Sequence, residues 1–272
     1  MLLKEDDEGM QTTRDGHIHT PLCPHGTKDS LDEYVQEALR LGRKEISFTE
    51  HFPIPQGVIS DELRRECNLL PEELDTYVDM VTAIKQKYQS SDIKINLGFE
   101  VDYLDGYDNE TRILLDKYGK YIDDSILSVH FVKYNGEFVA VDFLEDLERY
   151  LGKTLTIKEL YELYFDTVIK SVDAQLGKYK PNRIGHPTLV RRFNKLYPYN
   201  NYEKDLKEKA QTLVNKIKSA GMEVDYNFAG LVKEHCDETY PQGMILEMMK
   251  EAGITLVPGS DSHDIKQLKI IL

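Results

Sequence analysis

Short apolar or β-branched runs alternate along this chain with longer segments of helical spacing. The runs at 16–19, 45–49, 93–101, 126–131, 183–186, 222–227 and 254–257 predict strands. Between them, stretches rich in Glu and Lys predict helices at 30–41, 71–89, 156–176, 202–220 and 241–252. Ser30 stands three residues before Glu33, the spacing of a capping box, and Gly253 closes the last helix. Seven strands separated by helices form the pattern of a parallel α/β fold. No Gly-, Ser- or Pro-rich linker, repeat or low-complexity stretch divides it. Residues 11–272 are therefore expected to form a single domain, preceded by a polar, disordered leader at 1–10.

An open doubly wound sheet and a closed barrel share this alternation. They differ in where polar residues gather: at one switch point in the open sheet, and at the C-terminal ends of many strands in a barrel. Six of the eight histidines fall at predicted strand ends: His17, His19, His51, His130, His186 and His263. Glu100 closes the third strand, Asn227 the sixth, and Asp261 follows the seventh. A closed barrel is the expectation.

Two motifs carry the chemistry. His17-Ile18-His19 places two imidazoles two residues apart, on one face of a strand, where both can reach one ion. Asp261-Ser262-His263 repeats that spacing after the last strand, behind Gly259. Taken alone, an HxH pair is more often polar residues at a barrel mouth, and a DxH is more often an Asx-type turn. A barrel sets its first and last strands side by side, so the two motifs would meet. Glu100 ends the apolar run Ile95–Phe99, where a buried carboxylate is costly unless paired or bound to metal. His130 and His186 could complete a second ion, and His25 and His51 with His263 a third. Taken singly, each of these histidines is more often a satisfied core residue or a solvated loop residue; taken together, ligation is favoured. Cys23 lies two residues before His25 and could ligate zinc, although a buried thiol is preferred; His235 lies beyond the sixth strand end and is left out.

The order of these residues resembles the PHP family (polymerase and histidinol phosphatase). Arg14-Asp15-Gly16-His17-Ile18-His19-Thr20 with Cys23-Pro24-His25-Gly26 is similar to the opening of its histidinol-phosphate phosphatase branch. Gly98-Phe99-Glu100-Val101-Asp102-Tyr103, Ser128-Val129-His130-Phe131, Asn227-Phe228-Ala229-Gly230-Leu231 with Tyr240-Pro241, and Gly259-Ser260-Asp261-Ser262-His263 continue the likeness. It runs from Asp15 to His263. The resemblance implies a distorted (β/α)7 TIM-like barrel with a trinuclear metal site at the C-terminal ends of the strands. It assigns the first ion to His17, His19, Glu100 and Asp261, the second to Glu100, His130 and His186, and the third to His25, His51 and His263. Zinc, iron and manganese are all compatible with such a mixed N/O set. The implied reaction is hydrolysis of L-histidinol phosphate to L-histidinol and phosphate in histidine biosynthesis, by attack of a metal-bridging hydroxide. Glu100, Asp261 and His263 would be catalytic. Arg191 and Arg192 would grip phosphate, although a solvated helix start is as good a reading. Asp102 and Asn227, with Tyr103 and Tyr240, would read the rest of the substrate.

Composition narrows the field. A net charge of -14 argues against a nucleic-acid partner and hence against the family's alternative, a phosphoesterase of nucleic-acid ends or dinucleotides. A non-catalytic metal-binding domain is the other alternative; a decayed site should have lost some donors, and here every position is filled. No apolar run reaches the ~18 residues of a membrane span, and the acidic start lacks the order of a secretory signal. Three widely spaced cysteines suggest reduced thiols. The expectation is a cytoplasmic enzyme of a small phosphomonoester, with its oligomeric state left open. A barrel strand is normally followed by a full helix, yet residues 264–272 after the final motif allow barely two turns, so an unusual or incomplete C-terminus is the expectation.

Overall fold

The computed structural model describes residues 13–271; the expected leader at 1–10 lies outside them. The described residues contain nine strands: β1 (Arg14–Ile18), β2 (Glu45–His51), β3 (Lys94–Asp102), β4 (Ile126–Ser128), β5 (Phe131–Tyr134), β6 (Glu137–Ala140), β7 (Arg183–Ile184), β8 (Glu223–Asn227) and β9 (Leu256–Gly259). Seven of them form one parallel sheet in the order β1-β2-β3-β4-β7-β8-β9. Its edges meet beyond the ends of β1 and β9, where Ile18 bridges Ser262, His19 N–H donates to Ser262 (3.0 Å) and Asp261 N–H donates to His17 (2.8 Å). The strand order and this seam give the expected TIM-like barrel.

Helices flank the sheet: α1 (Leu31–Arg40), α2 (Asp61–Cys67), α3 (Leu74–Lys87), α4 (Asp108–Tyr118), α5 (Leu144–Leu147), α6 (Ile157–Val172), α7 (Tyr202–Asp205), α8 (Lys207–Ala220) and α9 (Gly243–Glu251). The capping box read at Ser30 is formed, and Thr156 with Glu159 makes a second one ahead of α6. Along β3, Ile95, Leu97, Phe99 and Val101 join the apolar core, with Phe99 packed 5.1 Å from the ring of Tyr77 on α3. The alternate residues Asn96, Glu100 and Asp102 are also buried, but within polar networks. That alternation separates the structural face from the chemical one.

Three departures from the sequence reading have local causes. The fourth strand ends at Ser128, and Phe131 opens the β5–β6 hairpin instead. Its turn is Asn135-Gly136, both at positive φ (50° and 88°), the backbone that Asn-Gly turns adopt. The helix expected at 202–220 is split into α7 and α8 around Leu206. Helices α2 and α4 were not anticipated, because their apolar faces are short. Among the described residues no helix is long and apolar enough to cross a membrane.

Candidate metal centre

Register builds the site. In the β2–β3 ladder His51 is the partner of Glu100, so an imidazole and a carboxylate stand side by side at the strand tips. The seam between β1 and β9 brings Asp261 against the other edge, with its Oδ1 3.1 Å from His19 Nε2 and 3.6 Å from His17 Nε2. Glu100 lies at the centre, only 1% exposed. Its Oε2 faces His51 Nδ1 (3.1 Å), His17 Nε2 (3.3 Å) and His19 Nε2 (3.6 Å), whereas Oε1 faces His186 Nε2 (2.7 Å) and His130 Nε2 (3.5 Å). One carboxylate thus presents an oxygen to each of two imidazole groups.

Donor atoms fall within 4.8 Å of one another in three groups: His17, His19 and Asp261; Glu100, His130 and His186; and His19, Cys23, His51 and His263. His25 stands beside the third group, its ring centroid 4.6 Å from that of His263 and 5.2 Å from that of His51. Its Nδ1 faces the Glu66 carbonyl at 3.0 Å, which leaves Nε2 for the centre. Cys23 is buried as expected, but its sulfur sits among the third group's donors. His235 stands apart, against Glu234.

Three carboxylates hold the imidazoles from behind. Asp225 Oδ2 meets His17 Nδ1 at 2.9 Å, Glu50 Oε1 meets His19 Nδ1 at 3.1 Å, and Asp102 Oδ1 meets His130 Nδ1 at 2.8 Å. Each bond leaves Nε2 directed at the centre and makes the imidazole a better donor. Gly259 is required for the first of them. A Cβ there would lie 2.2 Å from Asp225 Oδ1 and 2.8 Å from His17 Cβ. Glu50 also accepts from the amides of Thr20 (2.9 Å) and His51 (3.0 Å).

The electrostatics are those of a densely charged pocket. Burial opposes the charged form of His17, but Glu100, Asp261 and Asp225 outweigh it and raise its pKa well above the usual value. Against the same burial cost, Asp261 and Glu50 lift His19 to about 9, and Asp102 and Glu100 lift His130 to about 10. Burial likewise opposes ionisation of Glu100, yet the charges of His17, His130 and His51 hold it well below the carboxylate range. His263 goes the other way, pressed down by burial and by His19. Buried atoms with no hydrogen-bond partner remain at this point: Glu100 Oε2, His51 Nε2, His186 Nδ1 and His263 Nε2. Orphaned donor atoms of this kind, converging from several strands, fit a divalent metal ion.

The expected substrate readers are placed differently. Arg191 is bound bidentately by Glu238 and stacks over Tyr202 at 4.0 Å, so its fork is already occupied. Arg192 faces the cavity, with one nitrogen donating to the Glu234 carbonyl. Asp102 is taken up by His130 and Asn68. Asn227 is wholly buried and bridges Asp225 and Asp261, so it orders carboxylates and does not face substrate. Tyr103 is buried near Asp105, and Tyr240 lines the cavity floor. Above the donors opens a cavity of about 630 Å³. Asp225, and the roles of Glu50, Arg65, Lys233 and Asp142, had escaped the sequence reading. Only the Asp225-x-Asn227 alternation hinted at the first.

Fold and site together define a TIM-like barrel protein with a multi-donor centre for divalent metal at its strand tips. Comparison makes the family definite: the PHP domain model matches residues 15–229, and the chain belongs to that family. It is 38% identical over 251 residues to a histidinol-phosphatase of Bacillus subtilis, covering 92% of this chain and 93% of the relative. A crystal structure from Listeria monocytogenes, assigned to histidinol phosphatase, superposes with a TM-score of 0.88 at 36% identity, covering 94% and 97% of the two chains. A histidinol phosphate phosphatase from Lactococcus lactis, solved with zinc, L-histidinol and phosphate, shares the fold at a TM-score of 0.69 and 21% identity, covering 94% and 89%.

Proposed function

We propose that this protein is a metal-dependent phosphomonoester hydrolase that converts L-histidinol phosphate and water to L-histidinol and phosphate. The observation that carries the reading is Glu100, whose two oxygens face separate imidazole groups beneath a substrate-sized cavity. The extended identity to the Bacillus relative supports the choice of substrate. Three ions are proposed. His17, His19, Glu100 and Asp261 would hold one, Glu100, His130 and His186 a second, and His25, His51 and His263 a third. Zinc, iron and manganese remain the proposed metals. When bound, such ions acidify a coordinated water and neutralise phosphoryl oxygens.

The chain's own residues do the rest. Asp225, Glu50 and Asp102 keep the three imidazoles in one tautomer, so no reorganisation is needed when substrate arrives. Arg192 contributes positive charge where the phosphate enters. The apolar cavity walls around Phe131 and Leu189 exclude bulk water from the ester. We place the enzyme in the cytoplasm, in keeping with Cys23 and Cys236 buried as free thiols.

The test is a comparison of kcat/KM for L-histidinol phosphate, p-nitrophenyl phosphate, a sugar phosphate and a short oligonucleotide on metal-loaded protein. Histidinol phosphate should lead by orders of magnitude. A winning oligonucleotide would support nucleic-acid ends as substrate, and no turnover at all would indicate a metal-binding domain without catalysis.

A further inference from the structure

The cavity above the centre is charged in two senses. Arg65 on α2 and Lys233 beyond β8 line it and form no ion pair with any described residue; Arg192 lines it too and donates to the carbonyl of Glu234, the residue after Lys233. Four carboxylate residues line it as well, and they differ in what they already hold. Asp261 belongs to the donor groups, and Asp102 is occupied by His130 and Asn68. Glu66 is exposed at the rim. Asp142 is half-buried and has neither a hydrogen-bond nor an ion-pair partner among the described residues.

The position of Asp142 is not accidental to the backbone. The Val141 N–H donates to the His130 carbonyl at 2.9 Å, which ties the strand leaving β6 to the tip of β4. The next residue is thereby held over the centre, close enough that its charge bears on His130, Cys67 and Tyr164. Downstream, Asp146 caps the Ala140 amide at 2.8 Å and pairs with Arg149, which fixes the turn on its other side. Phe143 follows, 40% exposed and also lining the cavity. A carboxylate held in a partly apolar cavity without a counter-charge costs free energy, unless a cationic ligand group completes it.

We infer that Asp142 is a specificity residue that receives the substrate's ammonium group, with the exposed ring of Phe143 beside it for the substrate's imidazole. This rests on the phosphatase reading above. The substrate has an ammonium two carbons from its phosphate ester oxygen, and of the two cavity carboxylates without a partner among the described residues, Asp142 is the half-buried one and Glu66 the exposed one. Cations and carboxylate therefore match the two ends of a zwitterionic phosphomonoester, whereas a plain sugar phosphate leaves Asp142 uncompensated.

The experiment measures kcat/KM of metal-loaded wild type, Asp142→Asn and Glu66→Gln on three substrates. These are L-histidinol phosphate, its des-amino analogue 3-(imidazol-4-yl)propyl phosphate, and p-nitrophenyl phosphate. The ratio of the first to the second is internal to each sample, so incomplete folding or loading cancels. Wild type should favour the amine-bearing substrate by roughly 10- to 100-fold, the worth of a charge-assisted hydrogen bond, and Asp142→Asn should bring the ratio close to one. A preserved ratio in Asp142→Asn, or its loss in Glu66→Gln instead, overturns the assignment while leaving the phosphatase reading intact. A wild-type ratio near one, with both imidazole substrates still well ahead of p-nitrophenyl phosphate, also overturns it. Superiority of p-nitrophenyl phosphate over both would sink the choice of histidinol phosphate as substrate, on which this inference rests, while leaving phosphomonoester hydrolysis in place.

Discussion

Asp225 Oδ2 lies 2.9 Å from Nδ1 of His17, and both side chains are completely buried. The carboxylate comes from β8 and the imidazole from β1, so the bond spans the barrel interior across β9. It fixes which nitrogen of His17 faces Glu100. Asp225→Asn keeps the shape but removes the charge. Divalent-metal affinity is expected to fall about 10- to 100-fold, as read by competition with a chromogenic chelator. Unchanged affinity would mean that His17 is oriented by packing alone.

Glu100→Gln should cost more than any change in the third group, because both carboxylate oxygens are engaged with different imidazoles. Metal content should drop by at least one ion per chain, and kcat should fall further than in His25→Ala. Elemental analysis and steady-state kinetics on the same preparations decide it. Equal losses in the two variants would contradict a bridging role.

Arg191 and Arg192 should separate cleanly. Arg191→Ala leaves Glu238 without its partner and removes the ring contact with Tyr202, so a loss of about 2 kcal/mol is expected, seen as a melting temperature lower by several degrees. Arg192→Ala should instead raise KM for the phosphomonoester about tenfold with little change in melting temperature. An exchange of these phenotypes would reverse the two roles.

The barrel floor predicts a pH effect. Arg183, only 1% exposed, donates to Asp124 at 2.8 Å, and Arg14 and Ser47 converge on the same carboxylate. Burial raises the pKa of Asp124, but Arg183, Ser47 and Arg14 prevail and hold it below the usual value. A depressed folded pKa contributes stability that is fully present above the unfolded value near 3.9, and that is lost as pH falls through the folded one. Asp124→Asn should therefore cost about 3 kcal/mol at pH 7. The gap to wild type should shrink progressively at pH values below about 4, measured by urea unfolding at each pH. A gap independent of pH would show that the loss is one of shape, not charge.

Much of this molecule could be read from its residues in order. Strand and helix periods, the capping box at Ser30, and the i, i+2 pairs His17/His19 and Asp261/His263 are local features. Each depends only on backbone geometry that neighbouring residues share. The family resemblance pointed to candidate donors for the same reason: their order along the chain is itself the signal. Local spacing does not say which side chain a residue will face across the barrel. Glu50 and Asp225 stand behind His19 and His17 only because strand order sets them there. Adjacent arginines were indistinguishable until Glu238, 47 residues away, captured one of them. Asp102 and Asn227 stood in family-like segments, yet closure turned them toward other protein groups. The sequence by itself thus determined the barrel strands and the longer helices, because those follow from the period of each segment, and it offered the candidate donors through their order along the chain. Tertiary structure alone decided which donors are held, which are free and which face the cavity, because register and the β1–β9 seam choose every long-range neighbour.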